Sequence, residues 1–487
     1  MSKLSIWLTP IWLLALGVAA GVLALLAAWA VCWLVRRPLA LAIAEAVRES
    51  ILAPVGYLAL ALSVFAVAAL PAMPGQRAWA SLQRLLAVRP IETTVTVPPR
   101  TEDFAAPAAF RASELQEYYL ESEQDVAVNV APGKGYVEPL IQVLGGERYQ
   151  WAPGSPLEVK FDGEVTTLYL TNESDSPTDV RIWLRTDVEM PQVHDIPKVA
   201  LGVVLLTAVY LLLRAALPQT SVIAAATAKE TVSQPVFLLL MLVGAVALAA
   251  FVYIPYNTFG EDVKMLKTSG MTTIKVLAII VALWTASTSV ADEIEGRTAL
   301  TVLSKPVGRR QFILGKFLGI SWPVVLMFLV LGFVFLATVS YKVVYDARES
   351  AKTTPEWPEC YAEVVRILPG LALALMEAII MAAVSVAAST RLQMIPNLVV
   401  CGSIYVLGHL VALLVKSSVG EMALVRFVGR LISVFLPVLD HFEIEGAIAG
   451  AATAPGSYLL WTLLYTILYC AAALLLALIF FEDRDLA

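Results

Sequence analysis

What most constrains this chain is a succession of long apolar blocks almost free of charge. The first, Leu4 to Val35, ends at the pair Arg36-Arg37. A helix needs about 20 mostly apolar residues to cross the hydrocarbon of a bilayer. The block is too long for the core of a cleaved signal peptide, and its arginines follow it, so it reads as a retained span. Eight more blocks follow: Ile51 to Ala72, Lys198 to Arg214, Gln234 to Tyr256, Met271 to Ala291, Phe312 to Tyr341, Ile367 to Thr390, Met394 to Val415 and Tyr458 to Phe481. Backbone polar groups in lipid must be satisfied within the segment, which for blocks of this length means helices. The expectation is an all-α polytopic membrane protein of about nine transmembrane helices. A charged fraction of 15%, against about 25% in soluble domains, excludes a soluble globular protein.

Nine crossings put the termini on opposite sides. Arg36, Arg37, Arg48, Lys229, Lys305, Arg309, Arg310, Lys316, Arg391 and Arg484 fall on one side and Lys264, Lys267, Lys342, Lys352, Arg426 and Arg430 on the other, a bias that is real but not clean and that makes the first side cytoplasmic by the positive-inside tendency. The expected location is the plasma (bacterial inner) membrane, multi-pass, with the N-terminus outside and the C-terminus cytoplasmic. An amphipathic stretch at Leu39 to Val47 suits the interface.

Residues 76–197 have another texture. They hold 19 acidic and 10 basic residues, a net of −9, whereas the remainder sums to +3. A weakly basic membrane body follows from lysine and arginine retention inside and calls for no nucleic-acid partner. The insert opens with Trp79, Leu82, Leu85 and Leu86 at helical spacing, which predicts a helix on the outer membrane surface. Short β-branched or alternating runs follow at Glu92 to Val97, Asp125 to Val130, Tyr136 to Val143, Leu157 to Phe161, Val165 to Leu170 and Asp179 to Leu184, broken by Pro-Gly, Gly-Gly and Asp-Gly turns. They predict an inserted extracytoplasmic β-sandwich-like domain. The expected division is 1–75 with two helices, 76–197 as the β domain, 198–218 as a third helix and 219–487 as a six-helix core.

One cytoplasmic stretch breaks the membrane texture, ADEIEGRTALTVLSKPVGRRQFILGKFLG from Ala291 to Gly319. Asp292, Glu293 and Glu295 crowd its start and Lys305, Arg309, Arg310 and Lys316 its end, matching the two poles of a helix dipole. Ala299, Leu300, Val302 and Leu303 form a short apolar face, and Pro306 ends the helix. Such a helix, hung between two spans, needs the membrane surface or a partner to cover that face.

These residues closely resemble the ABC-2 permease family, the membrane subunits of a large group of ABC transporters. Glu293, Glu295, Gly296, Thr298, Leu303, Pro306, Arg309 or Arg310, and Gly315-Lys316 carry the resemblance, which spans Ser221 to the C-terminus. It implies a six-span core preceded by an elbow helix near Ala225 to Glu230. It also implies a coupling helix at 292–306 that docks on an ABC ATP-binding subunit through Glu293, Glu295, Gly296, Arg297, Thr298, Leu300, Leu303, Pro306, Arg309 and Arg310. Two permeases, a homodimer or a pair, would work with two ATPases. The chain itself has no G-x-x-x-x-G-K-[ST] phosphate loop. It is therefore expected not to be an enzyme and to hold no cofactor, with ATP and Mg on the partner subunit.

Glu377 lies within a span, where a carboxylate is costly and marks a pathway or a proton-responsive site. With His409 as its candidate partner it is a candidate lining of the translocation path, the other reading of both residues being a hydrogen bond between neighbouring helices. Asn397, beside Pro396, reads as a helix cap, and His194 as a linker residue. Asp440, His441, Glu443 and Glu445 crowd six residues and read as solvated loop rather than a metal site. The four cysteines form no close pair. Asn172-Glu173-Ser174 is a formal sequon without further support.

The function expected is a permease that couples ATP hydrolysis elsewhere to substrate export. The alternatives are ATP-driven mechanotransmission on an extracytoplasmic protein partner and a membrane-anchored sensor or scaffold. Ion-coupled secondary transport would need several paired intramembrane charges, and in the sequence Glu377 stands almost alone.

Overall fold

The computed structural model describes residues 3–48, 50–152, 161–254, 262–295, 308–350, 353–416, 427, 436–444 and 454–482. Contacts divide the chain into two compact units, Met1–Ala72 with Lys198–Ala487, and Met73–Pro197.

The first unit is helical, and each apolar block of the sequence carries a helix. These are α1 Lys3–Val35, α3 Leu52–Ala68, α5 Asp195–Ala216, α7 Pro235–Phe251, α8 Asp262–Ala286, α10 Arg309–Glu349, α11 Trp357–Ser389, α12 Met394–Lys416 and α13 Gly456–Glu482. Shorter helices α2 Arg37–Arg48 and α6 Pro218–Ser233 lead into α3 and α7. Among the described residues six helices are long and apolar enough to cross a membrane alone, or up to eight spans if each bent pair counts as one. Between α6 and α7 the chain bends by 62°. The cause is local: Pro235 has no amide hydrogen for the ladder, and Gln234 before it is extended.

The core of this unit is apolar and comes mainly from α8, α10 and α11, with Ile274, Ala278, Ala282, Val324, Met327, Leu331, Ala374, Ala378 and Met381 fully enclosed. In α5 only Ile196 is buried, so its sides suit lipid. The N-terminal helices are fastened by indole donors, which need a partner away from water. Trp12 Nε1 donates to the Ala66 carbonyl at 2.9 Å, and Trp322 Nε1 to that of Ile51 at 2.7 Å.

The second unit opens with α4 Gly75–Arg84, which leaves Trp79 62% exposed. It continues as two four-stranded antiparallel sheets, ordered β1-β8-β3-β6 and β2-β7-β4-β5. The strands are β1 Ile91–Val97, β2 Thr101–Arg111, β3 Leu115–Ser122, β4 Val126–Asn129, β5 Ile141–Val143, β6 Arg148–Trp151, β7 Glu164–Asn172 and β8 Thr178–Thr186. Alternation fills the core: Leu120, Val128, Leu168, Leu170, Val180, Ile182 and Leu184 are all within 1% of full burial. The sequence pattern missed β2, β3 and β6. β2 reads Ala-Ala-Pro-Ala-Ala, and Pro107 is tolerated because β2 is an edge strand. In β3 a register shift between Leu115 and Glu117 interrupts the alternation. The run expected at 157–161 lies, except for Phe161, outside the described residues.

Arg84 of α4 grips the buried Glu114 with two hydrogen bonds, and this hydrogen bonding and charge hold the guanidinium pKa above its ordinary value. His194 is more than a linker, since its Nε2 lies 2.7 Å from Asp187 Oδ1. Asn172 is buried, and its amide donates to the carbonyls of Val97, Pro98 and Ser176. A side chain engaged in this way is closed to glycosylation.

Candidate functional site

Residues 296–307 lie outside the described residues, and with them Gly296, Arg297, Thr298, Leu300, Leu303 and Pro306. The two ends of that segment are described. α8 passes through a π turn, Ser287–Ala291, into the short helix α9, Asp292–Glu295. On the other side Gly308 donates its amide to Gln311 Oε1 at 2.9 Å, which satisfies one orphan donor and sets the start of α10. Glu293 Oε1 accepts from Lys316 Nζ at 2.7 Å, so the outgoing and returning helices are joined by a charge-assisted bond. Lys316 is buried and lies over the Phe312 ring.

The same end of the bundle is tightly tied elsewhere. Phe312 stacks on Phe481 of α13, with centroids 5.7 Å apart, and Arg309 reaches the Glu482 carbonyl at 3.3 Å. α6 lies against α10 at two glycines. A Cβ on Gly319 would sit 2.7 Å from Thr227 Cβ, and one on Gly315 2.8 Å from Ile223 Cβ. Larger residues there would force the helices apart. Arg310 is exposed, and Glu295 ends the described segment.

One level deeper, Asn397 corrects its reading as a cap. It is fully buried, and its Nδ2 lies 2.8 Å from Ser287 Oγ in the π turn and 2.9 Å from both Ser385 and Ser389 Oγ of α11. Cys401 Sγ donates to its Oδ1 at 3.2 Å. One amide thus fastens α8, α11 and α12. The π turn it grips directly precedes α9, a position where such turns often mark functional sites.

Deeper still is Glu377, 0% exposed. It does not stand alone. Lys275 of α8, 3% exposed, places Nζ 3.4 Å from Glu377 Oε2, and His409 Nε2 lies 3.3 Å from Glu377 Oε1. Neither contact is aligned as a hydrogen bond. Near the far ends of the helices Lys267 pairs with Glu363, which also takes Arg366, and Lys342 binds Asp262 and the Val252 carbonyl. Lys267, Lys275, Lys316 and Lys342 are each at least 96% buried. The sequence reading missed this set. The signal was Lys275, a lysine eight residues after Lys267 within an apolar block.

The comparison with known families agrees with this architecture. The family model for ABC-2 family transporter proteins matches residues 203–486, more than half of the chain. The chain belongs to the ABC-2 transporter family. The match begins inside α5, whereas the sequence resemblance started at Ser221. No curated protein matches the chain. ABC-2 permeases are membrane-embedded transport subunits, and membership implies an ABC ATP-binding subunit as partner.

Among the described residues no cluster of three or more His, Cys, Asp or Glu could hold a metal ion, and all four thiols are free.

Proposed function

We propose that this ABC-2 protein is the permease subunit of an exporter whose ATP hydrolysis takes place on a separate subunit, which docks on residues 292–306. The observation that carries the reading is the Glu293–Lys316 bond with the packing around it. A push on the segment between α9 and α10 meets a joint, since Glu293 and Lys316 link both flanking helices and the close α6–α10 contact braces them. Motion then passes into α8 and α10, and through the Asn397 node into α11 and α12. Docking needs an apolar face, which the spacing of Leu300 and Leu303 in the sequence would offer. Two permeases would assemble with two ATPases, and the insert, on the extracytoplasmic side, would meet the exported molecule or a further protein.

The test is co-expression with the ATP-binding subunit. Leu300→Asp and Leu303→Asp should each abolish co-purification and ATP-driven export while the permease still folds. Retention of both activities in either variant would overturn docking through this segment.

A further inference from the structure

His409 turns one ring nitrogen to a backbone carbonyl and the other to Glu377. Nδ1 is 3.0 Å from the Tyr405 carbonyl, a group that can only accept, so Nδ1 carries a hydrogen. In neutral imidazole the other nitrogen is then an acceptor. That nitrogen, Nε2, faces Glu377 Oε1 at 3.3 Å, and an ionised carboxylate also only accepts. An acceptor nitrogen and an ionised carboxylate oxygen at this distance, in a site where Glu377 is wholly enclosed, repel with little screening. The arrangement is stable only with a proton between them, carried on histidine or carboxyl and belonging to the pair rather than to either residue.

We infer that Lys275, Glu377 and His409 form a proton-binding site inside the helical body, and that the proton shared by Glu377 and His409 latches α12 to α11. Lys275, on the other carboxylate oxygen, holds Glu377 in place and is a positioning residue. When the proton leaves, the opposed acceptors part the two helices at this level, while the Asn397 node, with contacts of 2.8 to 2.9 Å, keeps them joined below. Opening is thus a splaying about Asn397. α12 is seated for such a motion at Gly408, where Leu439 and the Pro437 carbonyl approach so closely that a Cβ would lie 2.9 Å from each.

Other titratable groups on packed elements leave the pair as the proton's place. On α8 and α11, Lys267 and Glu363 engage each other. On α10, Lys316 and Lys342 hold Glu293 and Asp262. On α13, Cys470 donates to the Ile379 carbonyl and Tyr465 accepts from the Val438 amide, while Tyr469 lies against Tyr465. In segment 436–444 the His441 ring lies against Tyr465, and Asp440 follows the buried Leu439. Tyr405 is stacked on His409 itself, centroids 4.7 Å apart.

The experiment places spin labels at the exposed positions Leu368 of α11 and Val406 of α12 in the full chain, in lipid nanodiscs without any ATPase. The expected result is a distance that lengthens by a few ångströms as pH rises, with the midpoint of a single proton. Glu377→Gln and His409→Gln each supply a permanent N–H donor in place of the shared proton, so both should keep the short distance at every pH. Lys275→Met with Glu377→Gln serves where loss of the carboxylate charge beside Lys275 unfolds the single variant, as a melting curve reports. A wild-type distance independent of pH, or an unchanged pH response in His409→Gln, overturns the inference. Because no ATPase is present, either failure leaves docking at 292–306 untouched.

Discussion

The helical body and the inserted sandwich use charge in opposite ways. In the sandwich most ion pairs sit in water: Arg100 and Asp175 are 77% and 79% exposed, and Arg111 and Glu164 are 43% and 64% exposed. In the helical body Lys267, Lys275, Lys316 and Lys342 are nearly invisible to solvent, and each meets an acid on another helix. A surface pair gains little because water and salt screen it. A buried pair gains little overall either, since desolvation offsets the attraction, yet removing one partner is severe because the other charge is stranded. The sandwich therefore rests on its apolar core, and the body has traded interchangeable packing for contacts that specify which helices meet.

The largest effect that could break this comparison is at the joint beside the docking segment. Lys316→Met removes the buried ammonium that Glu293 Oε1 meets and should cost about 3–5 kcal/mol, read as a lowered denaturant midpoint of the purified permease. Leu168→Ala, in the middle of the sandwich core, should cost about 3 kcal/mol by opening a cavity. Its effect should appear in the unfolding of the insert and leave co-purification with the ATPase intact. Asn397→Ala leaves buried hydroxyls without their amide and should cost about 2 kcal/mol. In the same background, Ser287→Cys with Ser389→Cys should form a disulfide more slowly under a mild oxidant, because the π turn and α11 are less closely held. The smallest effect is Arg100→Ala, within about 0.5 kcal/mol of wild type. If it exceeded the Lys316→Met effect, the contrast between the two regions would be wrong.

The helices were legible because hydrocarbon length and charge-free runs are one-dimensional properties. Alternation likewise disclosed β8, whose buried residues repeat every second position, and β1, whose exposed residues do, and a β-branched run disclosed β7. It could not disclose β2, whose alanines and proline carry no strand preference and which is placed by pairing with β7 and by burying Ala106, Ala108 and Phe110 in the core. The paired charges were hidden for the same kind of reason. Lys275 and Glu377 are more than a hundred positions apart, and only parallel packing of α8 on α11 brings them together. Asn397 looked like a cap because Pro396 precedes it, and its three hydroxyl partners lie on two other stretches of chain. Local signals name an element, whereas the worth of a polar residue within it depends on what the fold sets opposite.

The central claim is that the segment between α9 and α10 is where the ATP-binding subunit acts. A photo-crosslinking residue at Leu303, in the permease co-expressed with that subunit, tests it directly, with one at the exposed Trp79 of the insert as comparison. The account predicts a covalent adduct with the ATP-binding subunit from position 303 and none from position 79. Absence of the adduct at 303, or equal adducts from both positions, would contradict it.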